Sequence, residues 1–139
     1  MADSCRVLIV DDHPINVEIL KELLEDEYTL AMASSGEEAM AIAPDFVPDL
    51  VLLDVMMPGI DGYETCRRLR GIPTLGHTKI ILLSARTMPE ERARGYEAGA
   101  DDFLSKPFMF EQLMATVHAA LGGTEARSPG DRPAPAGRQ

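Results

Sequence analysis

Val-Leu-Ile-Val-Asp-Asp, residues 7–12, sets the architecture of this chain, because four apolar residues run unbroken into two carboxylates. Two later segments have the same continuous pattern, Leu-Val-Leu-Leu at 50–53 and Ile-Ile-Leu-Leu at 80–83. A strand that is apolar at every position is covered on both faces, as in a parallel sheet. Segments of helical periodicity separate the runs, and this alternation predicts βαβ units with right-handed crossovers.

Five strands and five helices are therefore predicted, forming a doubly wound, three-layer α/β sandwich around a five-stranded parallel sheet. Proline opens the first and fourth helices, Ser34 or Ser35 caps the second, and Pro44 limits the second helix to Ala43. Gly122-Gly123 is expected to end the last helix at Leu121. The predicted strands are Arg6–Val10, Tyr28–Met32, Leu50–Asp54, Lys79–Ser84 and Asp102–Leu104; the helices are Ile15–Glu25, Gly36–Ala43, Tyr63–Arg70, Pro89 to Gly99 and Phe110–Leu121.

Composition limits the classes of function. The 139 residues include 23 acidic and 13 basic side chains, so the formal charge is −10, which disfavours a nucleic-acid surface. No apolar run approaches the ~20 residues that span a bilayer, so no membrane association is expected. The amino terminus has no apolar stretch of signal-peptide length, which favours a cytoplasmic location and reduced thiols at Cys5 and Cys66.

Two segments are predicted from composition, a folded domain over residues 1–121 and a flexible tail or linker over residues 122–139. The tail has three prolines, four glycines and no large apolar residue. Such a segment buries too little apolar surface to offset the entropy of ordering. Two interpretations of the whole chain stay open: a single-domain protein, or the amino-terminal part of a longer one with an unidentified output domain.

Chemically informative side chains follow the predicted strands. Asp11 and Asp12 follow the first strand, Asp54 ends the third, Ser84 ends the fourth, and Lys106 follows the fifth. In an open parallel sheet, ligands bind outside the carboxyl ends of the strands, so these five side chains should converge. Oxygen ligands of this kind suit Mg²⁺, and a cation with Lys106 and a hydroxyl can hold a phosphoryl group. Asp54 is the best candidate for a nucleophile, because it ends the central strand.

Four motifs, in order, resemble the receiver domain of two-component response regulators, the chemotaxis-Y-like superfamily. They are Val-Leu-Ile-Val-Asp-Asp (7–12), Asp-Leu-Val-Leu-Leu-Asp-Val-Met-Met-Pro-Gly-Ile-Asp-Gly (49–62), Ile-Ile-Leu-Leu-Ser-Ala (80–85) and Gly-Ala-Asp-Asp-Phe-Leu-Ser-Lys-Pro-Phe (99–108). The resemblance covers about residues 5–121. It implies a flavodoxin-like strand order of 2-1-3-4-5 and a signalling switch rather than an enzyme.

The resemblance also implies roles for the strand-end residues. Asp54 would accept a phosphoryl group from a phosphohistidine of a sensor histidine kinase or a histidine phosphotransfer protein. Mg²⁺, with Mn²⁺ as a substitute, would be held by Asp11, Asp12, Asp54 and the backbone carbonyl of Met56. Lys106 and Ser84 would contact the phosphoryl oxygens, and Phe103 would turn inward when Ser84 shifts. The Lys106–Pro107 peptide would be cis, a state accessible to X-Pro bonds.

The first helix has an apolar arc of about 200°, broader than the ~100° stripe of an ordinary surface helix. One interpretation is a well-buried helix. The other is that an edge around Ile15 and Ile19 stays exposed and docks a kinase or phosphotransfer helix. The resemblance places partner binding, including a homodimer, on a second face built from residues 88–98, 102–104 and 110–121.

Two alternative functions fit part of the pattern. A phosphatase-like enzyme with an aspartyl nucleophile usually has a second Asp two residues later, where this chain has Met56. A degenerate receiver that acts only as an interaction module is disfavoured by the complete acidic set. His13 follows the acidic pair, but a histidine at the start of a helix is favoured over a metal ligand, since hard cations prefer oxygen.

Overall fold

Each continuous apolar run forms one strand of a five-stranded parallel sheet in the computed structural model, which describes residues 5–126 and the side chains as far as Leu121. The sheet order is β2-β1-β3-β4-β5, as the resemblance implies. β2 lies one residue later than predicted, and β5 is one residue longer. The strands are β1 (Arg6–Val10), β2 (Thr29–Ala33), β3 (Leu50–Asp54), β4 (Lys79–Ser84) and β5 (Asp102–Ser105).

Five α-helices connect the strands or follow the last one, and a short 3-10 turn at Pro73–Leu75 precedes β4. Proline occupies the first turn of α1 and α4, where its missing N–H needs no partner. Ser35 caps α2 and Asp61 caps α3, each accepting from the backbone N–H three residues later. The helices are α1 (Pro14–Leu24), α2 (Gly36–Phe46), α3 (Gly62–Arg70), α4 (Pro89–Ala98) and α5 (Phe110–Ala126).

The sheet is buried on both faces, which explains why its strands are apolar without interruption. Alternate side chains point to opposite faces of a strand. Leu8 and Leu53 face a cluster with residues of α2, α3 and α4, whereas Ile9 and Leu52 face a cluster with residues of α1 and α5. Every residue of β3 is buried. The central strand therefore delivers Asp54 to the carboxyl edge from the middle of the sheet.

The prediction that Pro44 ends α2 at Ala43 is wrong. α2 includes Pro44 and runs to Phe46, where Val47 takes a left-handed conformation with φ 48° and donates to the Ala43 carbonyl. A proline costs a helix one backbone hydrogen bond. In the last turn of α2, burial of apolar surface outweighs that loss, since Phe46 and Val47 pack on the core.

The predicted end of α5 at Leu121 is also wrong. The helix continues through Gly122 and Gly123 to Ala126. Glycine disfavours a helix by about 1 kcal/mol relative to alanine but leaves every backbone hydrogen bond in place. The flexible tail was predicted for residues 122–139, and positions 127–139 of that segment lie outside the described residues. Within residues 5–126, none of the helices has both the length and the apolarity to cross a membrane.

Candidate functional site

Parallel register brings the strand-end side chains together at one edge of the sheet. Val10 of β1 pairs with Leu53 of β3, so Asp11 and Asp54 follow equivalent positions on adjacent strands. Ser84 of β4 pairs with Ser105 of β5, directly before Lys106. Asp11, Asp54 and Ser84 are all buried. The predicted convergence at the carboxyl edge is therefore present in the fold.

Lys106 is the cation of this site. Its Nζ donates to Asp54 Oδ1 at 2.7 Å and lies 3.7 Å from Asp11 Oδ2. About a quarter of the lysine side chain is exposed, whereas the two carboxylates are almost fully buried. Lys106, which follows β5, thus forms ion pairs with the carboxylates at the ends of β1 and β3.

Asp54 carries a carboxyl group whose pKa is raised from its usual value. Burial is the main cause, because desolvation disfavours the charged form, and the nearby charges of Asp11 and Asp12 act in the same direction. The hydrogen bond and the charge of Lys106 oppose this shift without cancelling it. An additional cation would therefore be favoured at this edge.

Asp11, Asp12 and His13 lie close enough to bind one metal ion. Their possible ligand atoms are within 4.8 Å of one another. Asp12 Oδ1 is buried and accepts no hydrogen bond. His13 Nδ1 lies 3.3 Å from this oxygen without forming a hydrogen bond to it, and a buried carboxylate oxygen that accepts no hydrogen bond is costly and fits a cation. Asp54 lies outside this group and is connected to it through Lys106. The carboxylates present therefore fit the hard divalent ion that the sequence predicts.

The connection after Asp54 is held close to the strand by glycine. A Cβ on Gly62 would lie 2.5 Å from the backbone oxygen of Asp54, so only glycine lets α3 begin there without displacing backbone. Gly62 also donates its N–H to the Val55 carbonyl at 2.8 Å. Met56, whose carbonyl was predicted as a ligand, lies in this connection and is 56% exposed. The loop thus returns to the site within a few residues.

The Ser84 hydroxyl accepts a hydrogen bond from the Arg86 N–H at 2.9 Å. This hydrogen bond ties the end of β4 to the loop between β4 and α4, residues 85–88, which we call the β4–α4 loop. Phe103 of β5 is buried, so the predicted switch residue already points inward in this structure. The Lys106–Pro107 peptide is cis.

α1 presents the predicted exposed edge. Ile15 is 74% exposed and Ile19 51%, whereas Leu20 and Leu24 are buried against the sheet. The interpretation of α1 as a well-buried helix is therefore wrong at this edge, and docking there stays a prediction. On the second predicted face, Met88, Tyr96 and Phe110 are exposed.

Two residues make polar contacts in the site that were not predicted from the sequence. His13 is the N-cap of α1; its N–H donates to Asp11 Oδ1 at 2.9 Å, and its Nδ1 lies 3.3 Å from Asp12 Oδ1. Asn16 Nδ2 donates to Asp11 Oδ2 at 3.4 Å. Asp11 precedes Asn16 by five residues and lies outside α1, so no helical spacing could have found this contact.

Comparison with known proteins supports this assignment of the fold. The family model described as the response regulator receiver domain matches residues 7–118. Response regulator PleD of Caulobacter vibrioides is 43% identical over 117 residues, which are 84% of this chain and 26% of that protein. Response regulator MprA of a Mycobacterium species is 42% identical over 130 residues, 93% of this chain and 56% of that protein.

Among solved structures, the chemotaxis protein CheY4 of Vibrio cholerae superposes with a TM-score of 0.82 at 33% identity, covering 85% of this chain and 99% of that one. The chain spans about a quarter of PleD and just over half of MprA, so it corresponds to one domain of those relatives. Sequence, strand order and site agree that this chain belongs to the response regulator receiver domain family of two-component signalling.

Proposed function

We propose that this chain is a phosphorylation-controlled switch in which Asp54 accepts a phosphoryl group from a phosphohistidine. Receiver domains are signalling switches that interact with histidine kinases or phosphotransfer proteins. The observation that carries the proposal for this chain is the 2.7 Å contact of Lys106 Nζ with Asp54 Oδ1, beside the carboxylates of Asp11 and Asp12. A buried carboxylate paired with one cation, among further acids, is arranged to receive an anionic group together with a metal ion.

In the proposed transfer, an Asp54 oxygen attacks phosphorus, the P–N bond of phosphohistidine breaks, and the imidazole leaves with the electron pair. No oxidant or reductant is needed. Lys106 neutralises charge on the transferring oxygens, a role that electrostatic preorganisation makes effective in a water-poor site. Later attack of water on phosphorus would release phosphate and regenerate the Asp54 carboxylate. This autodephosphorylation would reset the switch.

Mg²⁺ belongs to the proposal as the cation that neutralises the carboxylates and the phosphoryl oxygens; Mn²⁺ is its proposed substitute. Receiver domains generally bind Mg²⁺ at a cluster of aspartates. Here Asp11, Asp12, Asp54 and the carbonyl of Met56 would hold it. The buried Asp12 Oδ1, which accepts no hydrogen bond, supports this assignment.

Incubation with Mg²⁺ and acetyl phosphate or phosphoramidate tests the proposal. We expect a mass gain of one phosphoryl group, measured on the intact protein, and its loss in Asp54→Asn. Asp61→Asn is the matched control, because asparagine caps a helix about as well as aspartate and Asp61 caps α3 outside the cluster. If the wild type gains no mass with either donor, or if Asp54→Asn gains it equally, the proposed function is wrong.

The proposed output is a change of partners. A phosphoryl group on Asp54 would recruit the Ser84 hydroxyl, and Phe103 would respond to the shift of that residue. The surface that changes would be the face of α4, β5 and α5, residues 88–98, 102–104 and 110–121, where a homodimer is possible. The exposed edge of α1 at Ile15 and Ile19 would dock the phosphodonor. A cytoplasmic location and any further output domain are part of the same proposal.

A further inference from the structure

Arg92 contacts both the loop after Ser84 and the proposed switch residue. Its Nε donates to the Thr87 carbonyl at 3.3 Å. Its guanidinium carbon lies 5.5 Å from the centroid of the Phe103 ring, within cation–π range. Arg92 is half-buried on α4, so both contacts are partly shielded from water. One side chain therefore bridges the β4–α4 loop and β5.

The β4–α4 loop is held at several points near this bridge. Ser84 accepts from the Arg86 N–H, and Thr87 Oγ1 accepts from the Ser105 hydroxyl at 3.1 Å. The loop thus closes on itself at one end and is tied to β5 at the other. A shift of the Ser84 hydroxyl toward Asp54 would break the contact with Arg86 and displace the backbone that includes the Thr87 carbonyl.

The side chain of Phe103 has no polar atom and therefore cannot form a hydrogen bond to the displaced loop. A tyrosine could form a hydrogen bond to the loop, but phenylalanine lacks the hydroxyl. Its ring is enclosed instead by α4: Tyr96 lies 6.5 Å away between centroids, and a Cβ on Gly95 would lie 2.7 Å from Phe103 Cε2. Within the described residues, the charged contact to this ring is Arg92.

We propose that Arg92 is a positioning residue that couples the β4–α4 loop to the Phe103 ring, in place of a hydroxyl on the ring. The inference rests on the proposed function, because the event it relays is phosphorylation of Asp54. When Ser84 moves, the Thr87 carbonyl moves with the loop, Arg92 follows its acceptor, and its contact with the ring changes. The state of the phosphorylation site is thereby transmitted to α4 and the partner face.

Fluorine NMR can measure this coupling directly. The chain has four phenylalanines, so uniform labelling with 4-fluorophenylalanine yields few signals, and Phe103→Leu identifies the one from Phe103. Spectra are recorded without ligand and with Mg²⁺ and beryllium fluoride, a mimic of the phosphoryl group. Arg92→Met retains the length of the side chain and removes its charge. Arg94→Met is the matched control, because Arg94 on the same helix lies over Tyr63, 4.2 Å from that ring's centroid.

In Arg92→Met, we expect the Phe103 signal to move in the unliganded protein and its response to beryllium fluoride to fall by about half or more. Arg94→Met should respond like the wild type, and Arg92→Lys should recover part of the response because it retains a cation. A full wild-type response in Arg92→Met, in a protein whose Asp54 gains phosphoryl mass, would overturn the inference alone. No mass gain in the wild type would overturn the proposed function and this inference together.

Discussion

Cys66 shows how burial alone changes the chemistry of a side chain. It lies on the inner face of α3 with no exposed surface, and burial raises the pKa of its thiol from 9.0 to about 11. Thiolate is the reactive form of cysteine, so the Cys66 thiol is unreactive at neutral pH. Cys66 forms no disulfide within the described residues.

The raised pKa of Cys66 predicts a loss of stability in alkali. The folded state holds the thiol proton more tightly than the unfolded state. The contribution of this thiol to the free energy of unfolding is therefore complete below pH 9 and is lost as pH rises toward 11. We expect the free energy of unfolding, measured by urea titration, to fall between pH 9 and 11 by on the order of 2 kcal/mol more in the wild type than in Cys66→Ala. Parallel pH profiles of the two proteins would contradict this prediction.

α1 combines two different surfaces on one helix. Its inner face packs Leu20 and Leu24 on the sheet, while Ile15 and Ile19 face solvent within a turn or two of the acidic cluster. Isolated exposed apolar residues are common, but a pair at i and i+4 beside a reactive site forms one continuous apolar edge. This edge is the proposed docking site for the phosphodonor.

The docking proposal predicts that a substitution on α1 slows phosphorylation by a protein donor but not by a small-molecule donor. Ile15→Ala should slow phosphotransfer from a phosphorylated histidine phosphotransfer protein by roughly tenfold, while the rate with acetyl phosphate stays unchanged, because a small donor makes no contact with α1. Since Ile15 is 74% exposed, the free energy of unfolding should change by no more than about 0.5 kcal/mol.

Two control variants accompany the measurement on Ile15→Ala. Tyr96→Ala removes an exposed apolar side chain from α4, which packs on the face of the sheet opposite α1, and should leave both rates unchanged. Leu20→Ala, on the buried face of α1, should destabilise the protein by about 2–5 kcal/mol. Reduced stability of Ile15→Ala with normal transfer from the protein donor would show that the edge serves packing and not docking.

The molecule as a whole carries a charge of −10, and the site concentrates part of that excess. Asp11 and Asp54 are buried with Lys106 as their shared cation. Because the pKa of Asp54 is raised, its contribution to stability is present at low pH and is lost as pH rises above 3.8 through the folded value. At neutral pH the receiver therefore folds against the desolvation of a charged Asp54 carboxylate, with a smaller repulsion from Asp11 and Asp12, and a bound divalent ion can relieve both costs.

We expect Asp54→Asn to unfold at a higher urea concentration than the wild type at neutral pH without Mg²⁺. Adding Mg²⁺ should stabilise the wild type, by about 2.7 kcal/mol at a hundredfold excess over its dissociation constant, and stabilise Asp54→Asn less. Asp26→Asn, at an exposed acid outside the site, should respond to Mg²⁺ like the wild type. If NaCl of matched ionic strength stabilised all three proteins as much as Mg²⁺ stabilises the wild type, the effect would be general screening, and a specific site would be contradicted.

The alternation of strands and helices and the edge at which the acids meet were predictable from local patterns in the sequence, whereas the strand order was implied by the family resemblance. Continuous apolar runs require a sheet covered on both faces, and parallel strands place all their carboxyl ends on one side. Asp11, Asp54, Ser84 and Lys106 could thus be selected by position alone. Helix ends were less predictable, since Pro44 and Gly122 oppose a helix locally and the surrounding structure outweighs that preference.

Only the tertiary structure decided which side chains meet. Lys106 lies nearer Asp54 than Asp11, His13 and Asn16 join the acidic pair, and Arg92 reaches both Thr87 and Phe103. These contacts join residues far apart in the chain or depend on rotamers, so no sequence spacing specifies them. The sequence by itself determined the sheet, its order of elements and the residues at its reactive edge. Packing of the helices against the sheet determined the distances, because side-chain positions follow from burial and available space.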